Sequence, residues 1–458
     1  MAFTAGATAS EQETHHLQPR LPLRPHTIGL PSVKYNVSRG DTISHRTLTR
    51  RDFLRLSGLA LIAAACNLRK APPGAVVPTT LPFSPSPPES YNQTPSQTGE
   101  PTAASQEPFF IVDGHLDLAW NVLEFGRDPH LSAHQTRLVE KSTSVPDYVG
   151  QCTTGFPDWA AGGFGLLFVT TFVMPSAQAY PGSRFVYNNP EEAAQLGLQV
   201  QEYYHTLVEA DPALKFIQNQ QDLADLETER STGRNTLGLL LLMEGAEPLR
   251  DPGELPEWYA AGLRILGPAW HATRYSGGTG SPGPLTDLGF RLLDEMAALN
   301  MVLDLSHIAE EAFYQAVSAY PGPVIASHSN PRAFLPGDRG LSDDMIDQII
   351  NRDGVIGVSL FNAHLQPGWR QGDARPSLST VAEVIDYIVQ RCGSTRHVAL
   401  GSDMDGGFGL ESIPAELDTC ADVGSLRTYL EPRGYTPMDI RDILMENWLR
   451  VLRSSLPA

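Results

Sequence analysis

The chain has 458 residues, and 41% of them are hydrophobic, which is enough apolar material to build a full core. Its 33 Lys and Arg residues stand against 52 Asp and Glu residues, and the resulting charge of −19 argues against a nucleic-acid backbone as a partner. The four cysteines form no CxxC pair, so the sequence predicts neither a zinc ribbon nor a dense disulfide scaffold.

The first 66 residues have the pattern of an export signal. Residues 1–48 are polar without a sustained period, and we predict a disordered leader, which is either an over-extended start or a genuine extension. Within 49–66, Arg50 and Arg51 precede an apolar run that is shorter than the ~20 residues needed to span a bilayer, as in a twin-arginine signal. These features predict export across a bacterial cytoplasmic membrane.

Cys66 closes this segment and leaves two outcomes open. It follows three alanines, which resembles a lipoprotein cleavage box, and lipidation would tether the protein to the membrane. Alternatively, Cys66 is an ordinary residue before the cleavage site of a soluble exported protein. Residues 67–107 are rich in Pro, Ser and Thr, and we predict an extended linker that holds a folded domain away from the membrane surface.

Residues 108–458 alternate between strand-like and helix-like segments. Apolar residues from Leu285 to Leu299 recur at spacings of three and four, which predicts one face of a helix. Thr436 and Pro437 have the pattern of an N-cap followed by a first-turn proline. Eight apolar runs between such segments predict an α/β fold, a (β/α)8 TIM-like barrel closed on itself. The runs are 109–114, 164–173, 237–243, 263–270, 301–306, 323–327, 355–361 and 397–402, with an extra candidate at 214–217.

Residues of the types that bind metals stand at the ends of four of these runs, where barrel enzymes carry their active sites. His115 and Asp117 are two apart in an extended segment, so both side chains can reach one ion. Glu244 follows five apolar residues, where a carboxylate either caps a turn or faces a cation. His307 and His328 each end a further run, and either one alone would read as a buried core histidine. Together the set suits Zn²⁺ or a similar ion and predicts a metal-dependent hydrolase.

The number of ligands suits two ions. Three imidazoles, one terminal carboxylate and one bridging carboxylate can hold a pair of ions, which lower the pKa of a bridging water and supply hydroxide at neutral pH. Asp403 ends the eighth run, and its carboxylate could accept the proton of that hydroxide and pass it to a leaving amine. The alternative for Asp403 and Asp405 is a solvated or calcium-like loop, and for Asp405 we favour a structural or supporting role.

These motifs together resemble those of the membrane (renal) dipeptidase family of the amidohydrolase superfamily. The matching segments, in family order, are IVDGHLDL, MEGAEPL, MVLDLSH, PVIASHSNPRAF, DRGLSDDMI and ALGSDMDG. The resemblance implies a (β/α) barrel with a binuclear zinc centre at the C-terminal ends of the strands. It implies that His115 and Asp117 bind one ion, that His307 and His328 bind the other, and that Glu244 bridges them.

The resemblance covers residues 109–453 and implies three further roles. Asp403 matches the proton-shuttling aspartate of the family. His271 matches a histidine that contacts the scissile carbonyl as it becomes an oxyanion, and Arg339 matches an arginine that holds the substrate carboxylate. Without the resemblance, His271 reads equally well as a core or loop histidine, and Arg339 reads as a solvated loop charge.

This chain departs from the family pattern beside the pocket. Leu116 and Ala119 stand where the family often has the Asn and Pro of DGHNDLP, and Ala246 replaces a second glycine after the bridging glutamate. These changes remove no ligand, so they bear on side-chain preference and not on the metal centre.

We therefore predict an exported zinc-dependent dipeptidase that hydrolyses the peptide bond of dipeptides with a metal-bridging hydroxide. The alternative is an amidase, an N-acyl amino acid deacylase or a lactonase on the same barrel. Arg339 separates them, because it favours substrates with a free carboxylate. A binding lipoprotein without turnover would not need Asp403. The resemblance also suggests a homodimer. Zn, Co or Mn would suit the ligands, and Cys152, Cys392 and Cys420 allow at most one disulfide.

Overall fold

The computed structural model describes residues 109–458, and in this range eight parallel strands form a barrel. Strands that are consecutive along the chain are neighbours in the barrel, and helices lie between most of them. Numbering only the barrel strands, they are β1 (Ile111–Leu116), β2 (Phe164–Phe172), β3 (Leu237–Glu244), β4 (Leu263–Gly267), β5 (Val302–Asp304), β6 (Val324–Ala326), β7 (Val355–Val358) and β8 (Val398–Leu400). The predicted α/β barrel is confirmed.

Every barrel strand falls on a run predicted from the sequence. The extra candidate is a ninth strand, Leu214–Phe216, which pairs in parallel with the first residues of β3. Two short pairs lie outside the barrel sheet: Met174–Pro175 with Val186–Tyr187, and Ser276–Gly278 with Ser281–Leu285. The predicted leader 1–48, the signal 49–66 with Cys66, and the linker 67–107 lie outside the described residues.

The helices of this part of the chain surround the barrel and connect its strands. The α-helices are Leu118–Phe125, Ala133–Glu140, Val145–Val149, Phe156–Ala161, Pro190–Ala210, Gln220–Ser231, Leu255–Ala260, Asp287–Ala298, Glu310–Ala319, Asp343–Asn351, Asn362–Leu365, Leu378–Cys392, Arg427–Leu430, Pro437–Arg441 and Asn447–Ser455. Single turns of 3-10 helix occupy Ser176–Gln178, Pro252–Glu254, Thr395–His397, Leu410–Ser412, Cys420–Leu426 and Glu431–Arg433, and Asp442–Glu446 is a π-helical turn.

The helix face predicted from Leu285 to Leu299 and the helix start predicted at Thr436 are both present, although Leu285 itself lies in a short strand before the first of these helices. The helix Asp287–Ala298 begins after Thr286, whose side chain accepts a hydrogen bond from Gly289 N. The helix Pro437–Arg441 begins after Thr436, which forms a capping box with Asp439. No helix within residues 109–458 is long and apolar enough to cross a membrane.

Alternation along the strands separates two apolar layers. Leu240 and Leu242 of β3 belong to the cluster inside the barrel, whereas Leu239 and Leu241 pack with the surrounding helices. All eight residues of β3 are buried, as expected for a parallel strand covered on both faces. Because side chains alternate with period two, Glu244 points to the same side as Leu240 and Leu242. This places its carboxylate over the barrel interior, at the C-terminal end of β3.

Two serine–aspartate pairs with the same pattern of hydrogen bonds join neighbouring strands. Between β1 and β8, Asp113 accepts hydrogen bonds from Ser402 N at 2.7 Å and from Ser402 Oγ at 2.5 Å. Between β5 and β6, Asp304 accepts them from Ser327 N at 2.8 Å and from Ser327 Oγ at 2.6 Å. We call these the β1–β8 staple and the β5–β6 staple. The first helps close the barrel, since Asp403 N also donates to His115 O at 3.3 Å.

Several residues beside the C-terminal ends of the strands have left-handed backbone. His307 has φ 63°, Asp403 has φ 60° and Asp405 has φ 62°. Such values are uncommon for residues other than glycine. They explain why β5 and β8 stop before the apolar runs do, because the chain turns sharply at these positions. Elsewhere in residues 109–458, Asn300 and Asp353 also have positive φ.

Candidate metal centre

The strand ends bring five of the predicted residues to one place. The sequence predicted His115 after the end of β1, but it lies inside that strand. Glu244 is the last residue of β3. His307 and His328 follow the ends of β5 and β6. Because the parallel strands run in register, these side chains meet over the barrel interior.

Glu244 lies at the centre of the three imidazoles. Its Oε1 is 3.6 Å from His115 Nε2, 3.3 Å from His307 Nε2 and 3.5 Å from His328 Nε2. Zinc ligands held tetrahedrally at about 2.0–2.1 Å from the ion stand about 3.3 Å from one another. His115 Nε2 and Glu244 Oε1 are buried and have no hydrogen-bond partner. Buried polar atoms without partners are costly, and a shared cation would satisfy both.

The imidazoles of His307 and His328 approach each other through their Nε2 atoms. His307 Nε2 and His328 Nε2 are 3.0 Å apart. The opposite nitrogens are next to hydroxyl groups, with His307 Nδ1 3.1 Å from Thr279 Oγ1 and His328 Nδ1 2.8 Å from Ser327 Oγ. Both Nε2 atoms also lie within 3.5 Å of Glu244 Oε1, so they face the centre together.

A second group of possible donors shares His115 with the first. The ligand atoms of His115, Asp117 and Asp403 lie within 4.8 Å of one another, as do those of His115, Glu244 and His328. Asp117 is fixed by Thr170 Oγ1, which donates to its Oδ1 at 2.5 Å. Asp403 thus lies close enough to join a ligand set, although the sequence assigned it to proton transfer.

The charges of the cluster also call for a cation. Burial, reinforced by Glu244, raises the pKa of Asp117 to about 6. Burial also raises the pKa of Asp403 well above its usual range, and the Asp117 and Glu244 carboxylates add to this effect. Burial alone would lower the pKa of His115, but the neighbouring carboxylates outweigh it and raise that pKa to about 10. An excess of buried negative charge with imidazole donors fits a divalent metal.

Arg339 is buried beside this cluster and is not a solvated loop charge. Its side chain is held by Ser329 Oγ at 2.7 Å and by the backbone carbonyl of His328 at 2.5 Å. Arg339 Nε is buried without a partner. Burial lowers the pKa of this guanidinium, while the Asp403 and Glu244 carboxylates act in the opposite direction. A buried guanidinium with a donor to spare is suited to an anionic ligand.

His271 lies in the loop after β4 and is half-buried. It lines the same cavity as Glu244, together with Trp270 and Tyr187. It belongs to neither group of metal-type donors in the described part of the chain. The structure therefore brings His271 to the cavity beside the centre and not into the ligand cluster.

Asp405 is part of a buried network, so the alternative of a solvated loop around Asp403 and Asp405 is wrong. Asp405 is 2% exposed and Asp403 is 8% exposed. The Asp405 carboxylate accepts hydrogen bonds from the backbone and hydroxyl groups of Thr153 and Thr154. Its own carbonyl accepts from Asn121 Nδ2 at 2.9 Å. These bonds tie the loop after β8 to two other segments near the site.

Sequence reasoning missed the residues that support the ligands. Ser327 and Thr279 contact imidazole nitrogens, Thr170 contacts Asp117, and Asp304 contacts Ser327. A signal existed for two of them. Asp304 ends the apolar run of β5, and Ser327 immediately precedes His328, so both are polar residues at strand ends. Cys152, Cys392 and Cys420, for which the sequence allowed at most one disulfide, are free thiols in the described residues.

Comparison with known proteins identifies the family of this chain. The family model described as membrane dipeptidase, peptidase family M19, matches residues 102–456. An uncharacterised protein of Klebsiella pneumoniae is 36% identical over 51% of this chain and 87% of its own length. The dipeptidase aclJ of Aspergillus oryzae is 32% identical over 37% of this chain and 39% of its own length.

A solved structure extends the likeness to the fold. It is a metallopeptidase from Rhodobacter sphaeroides, crystallised with a phosphinate mimic of the dipeptide L-Ala-D-Ala. It has a TM-score of 0.62 and 24% identity, and the match covers 76% of this chain and 99% of that one. The family match spans nearly all of the described residues and includes every strand that carries a predicted ligand. The chain therefore belongs to the membrane dipeptidase family, peptidase family M19, and is a metallo-dipeptidase.

Proposed function

We propose that this chain is an exported, zinc-dependent dipeptidase with two ions. His115 and Asp117 would hold one ion, His307 and His328 the other, and Glu244 both. The observation that carries this proposal is the buried pair His115 Nε2 and Glu244 Oε1, which have no partner in the described residues although they lie 3.6 Å apart. Bound divalent ions polarise a carbonyl and lower the pKa of water.

The side chains around the centre would handle the substrate and its protons. Arg339 would bind the C-terminal carboxylate of a dipeptide through its free donor. Asp403 would take a proton from the attacking water and give it to the departing amine. His271 would donate a hydrogen bond to the carbonyl oxygen as negative charge develops there.

The position of Arg339 supports cleavage next to a free carboxylate. Its Nη2 bonds the carbonyl of His328, whose own side chain is a proposed ligand. If a carboxylate held there lies one residue from the scissile carbonyl, the bond cleaved is the last peptide bond of the substrate, which in a dipeptide is its only one. The Rhodobacter sphaeroides structure holds a mimic of a dipeptide with a D-residue in the second position. Acceptance of such a residue is therefore part of the test.

An N-acyl amino acid deacylase is the second candidate, because an N-acyl amino acid also carries a free carboxylate for Arg339. The full chain should be assayed with L,L-dipeptides, L,D-dipeptides, an N-acyl amino acid and a lactone, with its metal content measured on the same sample. We expect two ions per chain and dipeptide cleavage that is lost on chelation and restored by zinc. Cleavage of the N-acyl substrate alone would change the substrate class. Metal without turnover would favour a binding protein.

Export needs a separate test. Replacing Arg50 and Arg51 together by Lys keeps their charge but removes the arginine pair that a twin-arginine signal requires. We expect this variant to stay in the cytoplasm and the unchanged chain to be exported. Cys66→Ser should release the exported protein from the membrane if Cys66 is its lipid anchor. Equal distribution of Cys66→Ser and the unchanged chain would show that Cys66 is no anchor, and sedimentation would test the suggested homodimer.

A further inference from the structure

We infer that Ser327 is a positioning residue that holds the imidazoles of His115 and His328 with their Nε2 atoms toward the metal centre. The inference rests on the proposed metal-binding function, because it concerns how two ligands are presented to the ions. Ser327 itself is fully buried and lies on the β5–β6 staple. Nothing in its role requires contact with substrate.

The hydrogen bonds of the Ser327 hydroxyl determine its orientation. A carboxylate accepts hydrogen bonds and does not donate them, so the 2.6 Å contact with Asp304 Oδ2 uses the only proton of the hydroxyl. Ser327 Oγ also lies 2.8 Å from His328 Nδ1 and 3.3 Å from His115 Nδ1. Having no proton left, the oxygen can only accept from these two nitrogens. The Ser306 hydroxyl lies 3.3 Å from the same oxygen, so three groups approach its two lone pairs, and the contact with His328 Nδ1 is the shortest of the three.

This arrangement fixes the tautomer of both histidines. With the proton on Nδ1, each imidazole keeps an unprotonated Nε2, which is the form that binds a metal. The two residues come from different strands, β1 and the end of β6, and their ring centroids lie 3.6 Å apart with the ring planes tilted by 31°. One hydroxyl thus orients ligands from both of the predicted ligand pairs, since the resemblance assigns His115 and His328 to different ions.

The β1–β8 staple provides a matched control inside the same molecule. Ser402 donates to Asp113 through the same two atoms and at nearly the same distances as Ser327 donates to Asp304. Ser402 Oγ otherwise receives a hydrogen bond from Met404 N and contacts no imidazole. A general weakening of the barrel would follow from removing either hydroxyl, whereas a loss of tautomer control would follow only from removing that of Ser327.

The test compares Ser327→Ala and Ser402→Ala in the full chain by competition for zinc with a chelator of known affinity. We expect Ser327→Ala to bind zinc about 10- to 100-fold more weakly, as for other residues that orient metal ligands. Ser402→Ala should bind it within about twofold of the unchanged chain. NMR of the metal-free protein with ¹⁵N-labelled histidine gives a second readout. The unchanged chain should show His328 as a neutral imidazole protonated on Nδ1, and Ser327→Ala should shift part of it to the Nε2-protonated form.

A second variant covers the case in which Ser327→Ala does not fold. Asp304→Asn keeps the shape of the side chain but lets the amide donate to Ser327 Oγ, so the hydroxyl proton is free to turn toward an imidazole. We expect weaker zinc binding here as well. If the unchanged chain binds no divalent ion, the proposed function fails. If it binds zinc and the folded Ser327 and Asp304 variants bind it equally tightly, or Ser402→Ala loses as much affinity, the positioning role of Ser327 is overturned.

Discussion

The floor and the rim of the site are built in different ways. The floor consists of the five predicted ligands His115, Asp117, Glu244, His307 and His328, which stand in or just past the barrel strands. The rim consists of His271 and Arg339, which lie in the loops after β4 and β6. Strand register fixes the positions of the floor residues, whereas the rim residues are positioned by side-chain and loop contacts such as those of Arg339 with Ser329 and His328. Metal binding should therefore depend on the floor and substrate choice on the rim.

Removing the central carboxylate of the floor should have the largest effect. Glu244→Gln takes away the charge that lies within 3.6 Å of three imidazoles, so we expect metal binding to fail and activity to fall by at least about 10³-fold. Elemental analysis and dipeptide hydrolysis measure both effects. Glu247→Gln is the matched control, because Glu247 is a nearby buried carboxylate that pairs with Arg274 at 2.9 Å. Full metal content in Glu244→Gln would contradict the assignment of the floor.

Asp403 tests where the floor ends. If it moves protons and is not needed as a ligand, Asp403→Asn should keep the metal content of the unchanged chain and lose about 10²- to 10⁴-fold in kcat. Metal content and kcat measured on the same preparation separate the two roles. Loss of the metal would place Asp403 among the ligands, in agreement with its proximity to His115 and Asp117. An unchanged kcat would remove it from the mechanism.

Arg339 tests the rim. Arg339→Lys keeps the charge but not the fork that binds a carboxylate in two places, so we expect kcat/KM for dipeptides to fall about 10- to 100-fold with the metal retained. The same substitution should matter much less for a dipeptide amide, which has no carboxylate. Arg332→Lys is the control, since Arg332 pairs with Glu310 at 2.8 Å outside the centre. Equal losses on the acid and the amide would show that Arg339 supports the site without binding the carboxylate.

A charged cluster far from both floor and rim should affect stability alone. Asp353 lies before β7 and pairs with Arg396 and Arg450. The hydrogen bond from Arg396 lowers the pKa of Asp353 below its usual value, so its stabilising effect is present above the usual carboxyl pKa and is lost as the pH falls through the lowered one.

Asp353→Asn should therefore lower the stability at neutral pH, and the difference from the unchanged chain should shrink in acid. The group is largely exposed, so the effect should be at most about 1 kcal/mol. Thermal unfolding at several pH values measures it, with dipeptide hydrolysis at neutral pH expected to be unchanged. A difference that grows as the pH falls would contradict the direction of the pKa shift.

The fold and most of the floor could be predicted from the sequence because both depend on strand patterns. Buried parallel strands are continuous apolar runs, and a polar residue at the end of such a run stands out, as Glu244 does after Leu239 to Met243. The ends of the strands were less predictable. The eighth run extends to residue 402, but β8 ends at Leu400, before the left-handed turns at Asp403 and Asp405.

The rim and the supporting residues could not be predicted from local pattern. Arg339 looks like an ordinary loop charge in the sequence, and its burial follows from contacts with Ser329 and His328 in another segment. Only the family resemblance singled it out, and the same is true of His271. The sequence marks Ser327 only as a polar residue at a strand end, because its inferred role depends on a carboxylate from β5 and an imidazole from β1. Such residues are defined by neighbours that a single sequence does not reveal.

The left-handed backbone at His307 and Asp403 lowers the stability of the fold at two positions that the proposed activity requires. Each non-glycine residue in this conformation costs roughly 1–2 kcal/mol, and glycine would relieve most of that strain. A population of variants selected only for a higher melting temperature would therefore be drawn toward glycine or asparagine at these two positions. The same substitutions would remove a proposed imidazole ligand and a proposed catalytic carboxylate. The active end of the barrel is thus a part of the molecule where selection for durability and selection for turnover pull in opposite directions.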